Sequence, residues 1–303
     1  AKQSACSSHL MATRFVDAIA RMPGNDGEDS DATGAYTQCD RGDDCPTTWI
    51  TLPKNRWPKE WFDIYTDEKD PPVVILKRNL YGHPRAGYYW EKHCAAAVKK
   101  CGFEKVVGWE CLWQHKKNKL FLSIYVDDFK LAGKKECLAD TWKALSKHLN
   151  LDPPKKLLNN IYLGVKQVKC QVPKQMIEHK RALYHTITQT KPDPKVTVPD
   201  DTLEGYYMDL TGNIEECIQL YCKLAKCDPK SLHPVATPCI DESLLPDSDF
   251  ENPGMLRHDA SKIVLKILWD SRITRPDTYW TVNWLARNVT KWTVACDKRL
   301  RKL

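Results

Sequence analysis

Two adjacent carboxylates, Asp127 and Asp128, interrupt an apolar stretch in the middle of this 303-residue chain. Apolar residues alternate before the pair and resume after it, over residues 120–133. Period-two alternation on both sides predicts a β-hairpin with the carboxylates at its tip. Because neighbouring anions raise the cost of ionising each other, the pair favours a divalent cation such as Mg²⁺, which takes hard oxygen ligands. The alternative is a solvated acidic turn.

A second group of possible metal ligands comprises Cys217, Cys222, Cys227 and His233. Structural zinc sites usually show tighter pair spacing than this C-x4-C-x4-C-x5-H arrangement. The spacing favours packed positions on a helix, with zinc as the alternative. We expect the 13 cysteines of the chain to be reduced thiols of an intracellular protein.

Composition sets broad limits on partners and location. The chain is 42% hydrophobic and carries a formal net charge of +7, so its length and composition predict a soluble protein of two subdomains. The positive balance fits either a polyanionic partner or a mildly basic solvated surface. Residues 298–302 end the chain on four cations. Neither a membrane span nor a signal peptide is visible, which predicts an intracellular protein of the cytoplasm or nucleus. The absence of an initial Met suggests a fragment.

Several segments resemble motifs of a single protein family, and they follow one another along the chain in the order that the family shows. The run Tyr125-Val126-Asp127-Asp128 resembles the YxDD signature of reverse transcriptases. The other segments are similar to those of copia-type long-terminal-repeat retrotransposons. They are Leu80-Tyr81-Gly82 with Trp90 (LYGLKQAPRAWY in the family), residues 161–168 (YFLGIEV), residues 235–238 (P-V-x-T-P) and Thr274-Arg275-Pro276-Asp277 with the residues after it (TRPDIxxAVNxLAR).

The resemblance assigns a metal site. Asp31 begins DATGAY, which resembles the D-V-x-x-A-F/Y segment that supplies the family's first metal-binding carboxylate. Asp31 and Asp127 are then expected to hold two Mg²⁺ (or Mn²⁺) ions about 3.5–4 Å apart. Asp128 is expected to be a weaker or more distant ligand.

The resemblance also assigns the nucleotide site. Tyr36 falls at the aromatic position beneath the incoming sugar, which disfavours a 2′-hydroxyl, and Tyr125 belongs to the signature itself. Arg85 stands where the family usually has a Gln that contacts nucleotide and template. An Arg can meet a phosphate but cannot copy the donor–acceptor pattern of an amide. This departure implies an altered or decayed site.

Two functions follow from these expectations. The first is an RNA-directed DNA polymerase (reverse transcriptase) that uses dNTPs and a DNA primer on an RNA or DNA template. The second is a catalytically decayed, transposon-derived protein that serves as a nucleic-acid or protein-binding module. The basic β-hairpin that precedes the first Asp in the family would lie before residue 1.

The fold class implied is α+β, the right-hand palm of a polymerase, in which helices back an antiparallel sheet. Residues 1–165 are expected to form partial fingers and the palm, and residues 166–303 a primer-side hairpin and thumb-like helices. Apolar residues at helical spacing predict helices at 9–22, 86–101 and 137–149, and residues 176–190 are a further predicted helix. The resemblance implies a pair of helices at 261–269 and 274–289. Residues 31–38 are predicted to form a strand interrupted at Gly34, and the acidic residues 25–30 and the Pro- and Asp-rich residues 191–210 are predicted to form loops. The resemblance implies a hairpin at 167–175. Aromatic residues in 55–61 are expected to pack rather than to stack on bases.

Overall fold

The computed structural model describes residues 10–42, 44–67, 70–193 and 204–303. Its helices are α1 (Leu10–Ala20), α2 (Ala35–Gln38), α3 (Trp61–Ile64), α4 (Ala86–Lys100), α5 (Lys135–Ser146), α6 (Lys174–Thr188), α7 (Thr211–Ala225), α8 (Ser248–Glu251), α9 (Ala260–Ile273), α10 (Tyr279–Arg287) and α11 (Val294–Lys302). Its strands are β1 (Asn25–Asp31), β2 (Trp49–Thr51), β3 (Val73–Ile75), β4 (Glu104–Lys105), β5 (Leu112–His115), β6 (Leu120–Tyr125), β7 (Asp128–Lys134), β8 (Lys155–Lys156), β9 (Ile161–Tyr162), β10 (Val165–Gln171) and β11 (Glu204–Asp209).

The chain divides into two compact units, residues 1–157 and 158–303. The predicted division lay at residue 165, but β9 pairs with β10 and therefore belongs to the second unit. None of the helices in the described ranges has the length and apolar character that crossing a membrane requires.

The first unit is a mixed α+β structure built on a six-stranded antiparallel sheet, with strand order β4-β5-β6-β7-β1-β8. Leu122 of β6 and Leu131 of β7 point to one face, where they share a core with Trp90 of α4 and Trp142 of α5. Ala132, the next residue of β7, points to the other face and packs against α1. Alternation along the strands therefore supplies apolar surface to a helical layer on each side.

Strand β1 corrects the prediction of a loop at residues 25–30. Its sequence, NDGEDSD, lacks alternating apolar residues, yet β1 lies between β7 and β8 and pairs with both. Lys156 of β8 forms ion pairs of 2.7 Å with both Asp26 and Glu28. A Cβ on Gly27 would lie 2.4 Å from Leu157 and 2.7 Å from Ala20, so glycine permits the close approach of α1. Backbone pairing and packing thus stabilise a strand that has no hydrophobic pattern.

The predicted strand at 31–38 is also wrong, because the chain leaves the sheet after Asp31. Ala32 makes only an isolated bridge to Leu151. Gly34 has a φ of 61° and begins the short helix α2. This left-handed conformation is one that glycine adopts at little cost, and it turns the chain away from the sheet.

The six predicted helices are present as α1, α4, α5, α6, α9 and α10. Helix α10 begins five residues after its predicted start, and the other ends agree within four residues. The predicted first residue of α1, His9, lies outside the described residues. The packing interpretation of residues 55–61 is confirmed as well. Trp57 is buried, and its Nε1 donates to the Leu52 carbonyl at 2.8 Å.

Two predictions in the second unit are wrong. The expected hairpin at 167–175 is replaced by the continuous strand β10, which pairs with β9 on one side and β11 on the other. Strand β11 falls inside the expected loop at 191–210, of which residues 194–203 lie outside the described ranges. Its pairing partner is distant in sequence, so local composition did not indicate it.

Candidate active site

The hairpin predicted around the two carboxylates is present. Tyr125 and Asp128 form the last pair of β6 and β7, which leaves Val126 and Asp127 as a two-residue turn. Val126 has a φ of 57°, a costly conformation for a β-branched residue. Its carbonyl accepts a hydrogen bond from Trp90 Nε1 at 2.6 Å, and the Asp127 carbonyl accepts one from the Ala32 amide at 2.7 Å. These two bonds hold the turn in its strained form.

Asp31 is the last residue of β1, and the register of β1 with β7 places it directly opposite Asp128. The two side chains are within hydrogen-bonding reach of each other. The Asp31 carbonyl accepts a hydrogen bond from the Asp152 amide at 2.8 Å, which fixes the strand end. The structure therefore places the three predicted carboxylates at one end of the sheet, with Asp128 as the cross-strand neighbour of Asp31 and Asp127 next to it in the turn.

The electrostatics of this group are unfavourable in the absence of a cation. Burial raises the pKa of Asp128 to about 7, and the negative charge of Asp127, a hydrogen bond with Asp31 and the charges of Asp31 and Asp29 add to the shift. Asp29, which the sequence analysis did not single out, lies two residues before Asp31 on the same face of β1. The carboxyl group of Asp128 thus keeps its proton up to neutral pH.

The three carboxylates meet some of the requirements of a metal site and not others. Three adjacent carboxylates offer the oxygen ligands that Mg²⁺ prefers, and the raised pKa of Asp128 indicates negative charge without sufficient positive charge beside it. Across the described ranges, however, no set of three or more His, Cys, Asp or Glu side chains stands in position to hold a metal ion. The chemistry of the donors therefore fits a divalent cation, whereas the side chains as placed do not form such a set.

The cysteine group of the second unit also lacks a metal-binding arrangement among its described residues. Cys217 and Cys222 are buried on helix α7 and contribute to its packing, as the helical interpretation predicted. Neither these cysteines nor the described residues around them form a metal-binding set.

Two tyrosines lie beside the acidic turn. Burial raises the pKa of Tyr36, and the charge of Asp127 adds to this shift. Tyr81 shows a raised pKa for the same two reasons, and the centroids of the two rings are 4.6 Å apart. The structure thus places Tyr36 near Asp127. It also adds Tyr81, whose only sequence signal was the Leu-Tyr-Gly match.

The other two predicted nucleotide-site residues, Tyr125 and Arg85, lie in different surroundings. Tyr125 is partly exposed, and as the direct partner of Asp128 it lies on the same face of the sheet. Arg85 donates to the Asp44 carboxylate at 2.6 Å and to the Asp44 carbonyl at 2.9 Å. The guanidinium also lies 5.1 Å from the centroid of the Tyr89 ring. Its hydrogen bond lowers the pKa of Asp44, so Arg85 is held in an ion pair.

A buried ion pair lies on the same face as the carboxylates. Lys130, two residues after Asp128, donates to Asp17 of α1 at 2.9 Å, and each side chain is only 1% exposed. Burial lowers the pKa of Lys130, although Asp17 and Asp29 oppose the shift. The pair ties α1 to β7, and no local pattern indicated it because the partners are 113 residues apart.

The basic tail does not behave as a free polyanion-binding segment. Arg299 is fully buried, bonds Glu242 at 2.7 Å and lies 4.3 Å from the centroid of the Trp284 ring. The other three cations also have partners within the second unit: Lys298 with Asp249, Arg301 with Ser231 and Lys302 with the Cys239 carbonyl. Helix α11 uses its positive charges for packing.

Comparison with known proteins gives a partial and distant match. The chain is 26% identical over 134 residues to the Gag-Pol polyprotein of transposon Ty1-MR1 from Saccharomyces cerevisiae, which covers 42% of this chain and 7% of the polyprotein. The match to the Ty1-BL polyprotein of the same yeast is 27% identical with the same coverage. A truncated Ty1-A polyprotein, also from this yeast, is 35% identical over 63 residues, or 20% of this chain and 5% of that protein. No family model matches the chain, and no solved structure matches it significantly. The chain is therefore a distant relative, over less than half of its length, of the Gag-Pol polyproteins of Ty1 retrotransposons.

Proposed function

We propose that the chain is the reverse transcriptase part of a copia-type retrotransposon polyprotein, and that its first unit is a polymerase palm. Its reaction would be the extension of a DNA primer on an RNA or DNA template by phosphoryl transfer. The observation that carries this proposal is the pairing of Asp31 with Asp128 on adjacent strands, beside Asp127 in a strained turn. The similarity to Gag-Pol polyproteins supports it.

The chemistry follows from the three carboxylates. Asp31, Asp127 and Asp128 would hold two Mg²⁺ or Mn²⁺ ions, which when bound supply activation of the primer 3′-hydroxyl and neutralisation of the leaving pyrophosphate. Asp128 must first give up the proton that it keeps near neutral pH. Cation binding and proton release are therefore linked, and binding should tighten as the pH rises through about 7.

The aromatic pair of Tyr36 and Tyr81 would contact the sugar of the incoming nucleotide. Tyr36 and Tyr81 feel the charge of Asp127, and their rings pack against each other next to the proposed reaction centre. A ring at this place would pack against the sugar of the incoming nucleotide and exclude a 2′-hydroxyl by contact. Selection of dNTPs over rNTPs would then depend mainly on Tyr36.

Helix α6 offers a surface for the nucleic-acid backbone in the second unit. No residue of this helix is buried, and its cations are Lys174, His179, Lys180, Arg181 and His185 when the histidines are protonated. Lysine and arginine contacts to phosphates are insensitive to sequence and weaken with salt. We expect template binding through α6 to show both properties.

Primer extension tests the proposal. The protein should extend oligo(dT) on poly(rA) in Mg²⁺ or Mn²⁺, and Asp127→Asn should abolish extension. Asp140→Asn is the matched control, because that carboxylate is 86% exposed on α5 and belongs to no part of the site. Equal activity of the two variants would refute the assignment of the site.

A second candidate function rests on Arg85. Because its guanidinium is held by Asp44, the position that contacts nucleotide and template in the family is altered here. A decayed module would bind the template with normal affinity and show no extension in either metal. Restoring the family residue with Arg85→Gln and finding extension would identify this position as the cause.

A further inference from the structure

Helix α7 ends in a backbone motif that brings two cysteines together. Lys226 follows the helix in the left-handed conformation, with a φ of 51°. The Cys227 amide donates to the Cys222 carbonyl at 3.0 Å. This is the Schellman arrangement, in which the first and last residues of the closing turn usually make an apolar contact. In this chain, both residues are cysteines.

The side chains of the two cysteines meet. The turn closed by the backbone hydrogen bond from Cys227 to Cys222 sets the two side chains next to each other, and their thiols interact. Cys222 is buried and Cys227 is half-buried, so an oxidant that approaches from solvent reaches Cys227 first. Burial raises the pKa of Cys222, and the hydrogen bond with Cys227 adds to this shift, while the nearby charge of Arg301 opposes it.

We propose that Cys222 and Cys227 form a reversible dithiol–disulfide pair, whose oxidant is a hydroperoxide. The sulfur of Cys227 attacks the O–O bond, which gives a sulfenic acid and releases an alcohol or water. The sulfur of Cys222 then attacks the Cys227 sulfur, so that an S–S bond forms and the S–O bond breaks. The sulfenic hydroxyl leaves as water with the proton of the Cys222 thiol, because the proton of Cys227 has already left with the alcohol or water of the first step. Two thiols lose two electrons in total, and the peroxide gains them. A dithiol reductant reverses the step by thiol–disulfide exchange.

Another cysteine of the same helix provides a contrast. Cys217 is buried, and its thiol donates to the Asp270 carboxylate at 3.7 Å. Burial raises its pKa to about 11, with the Asp270 charge as the next cause, so little of the reactive thiolate forms at neutral pH. Oxidation should therefore be selective for the pair at the end of α7.

Peptide mapping of the full chain tests this inference independently of polymerase activity. The protein is treated with increasing hydrogen peroxide, free thiols are alkylated, and trypsin is added without reductant. Trypsin cuts after Lys223 and Lys226, so the proposed bond joins a peptide ending at Lys223 to the peptide 227–230. We expect this linked pair in the wild-type protein and in Cys217→Ser, and its loss in Cys222→Ser.

A second measurement covers the case in which a variant fails to fold. Phenylarsine oxide bridges two thiols only where they are in contact, so it should protect Cys222 and Cys227 of the wild-type protein from alkylation. Protection of both, together with the linked peptides, supports the proposal. Oxidation of Cys227 to a sulfinic acid without cross-linking, or a bond from Cys227 to a different cysteine, would overturn it.

Discussion

Replacing Asp128 by Asn should stabilise the metal-free protein at pH 8 much more than at pH 5. The pKa of Asp128 is about 7 in the folded protein, against 3.8 for an aspartate side chain in an unfolded chain. Between these two values the folded state keeps a proton that the unfolded state releases. Stability therefore falls as the pH rises through this window, and the full penalty is present above about pH 7.

The size of the effect follows from the same shift. One pKa unit corresponds to about 1.4 kcal/mol, so lowering the pH from 8 to 5 would recover at most ~3 kcal/mol for a fully buried group. Because Asp128 is only partly buried, solvent screening reduces this figure to roughly 1–2 kcal/mol. The neutral amide of Asn carries no such penalty. We therefore expect the variant to gain about 1–2 kcal/mol over the wild type on going from pH 5 to pH 8.

Urea unfolding in EDTA, followed by far-UV circular dichroism at both pH values, measures this difference. Asp140→Asn, which removes an exposed carboxylate, should show no such dependence. Added Mg²⁺ should raise the midpoint of the wild type and leave that of Asp128→Asn nearly unchanged, since binding stabilises only a folded state that has the site. An equal stability difference between variant and wild type at pH 5 and pH 8 would refute the electrostatic reasoning.

Three further outcomes are expected. Lys130→Met should lower the free energy of unfolding in urea by about 3–5 kcal/mol, because it leaves Asp17 charged and buried. The control Lys116→Met, which removes a 2.6 Å but exposed ion pair, should lower it by less than about 1 kcal/mol. Equal losses in the two variants would contradict the role of burial. Val126→Gly should change the free energy of unfolding by less than about 1 kcal/mol, since relief of the left-handed strain offsets the lost packing and the added entropy of the unfolded chain. A larger loss in the same assay would show that the turn is not strained. Tyr36→Val should increase incorporation of rNTPs relative to dNTPs by roughly tenfold or more in single-nucleotide primer extension, and an unchanged ratio would place the sugar elsewhere.

The sequence by itself determined the local elements of the candidate site. Alternation of apolar residues fixed the β6–β7 hairpin and placed Asp127 and Asp128 at its tip, because a strand with one buried face has a period of two. Helical spacing likewise fixed α4, whose Trp90 supports the turn. These features depend on neighbours a few residues away, and local patterns record them.

Only the tertiary structure decided which residues meet across the sheet. Strand β1 has no hydrophobic pattern, and the register of its pairing with β7 sets Asp31 against Asp128. The Lys130–Asp17 pair and the capture of Arg85 by Asp44 likewise join residues that are far apart in the chain. Register and burial are properties of whole layers of packed elements, so a residue's own neighbours in sequence do not specify its partner in space.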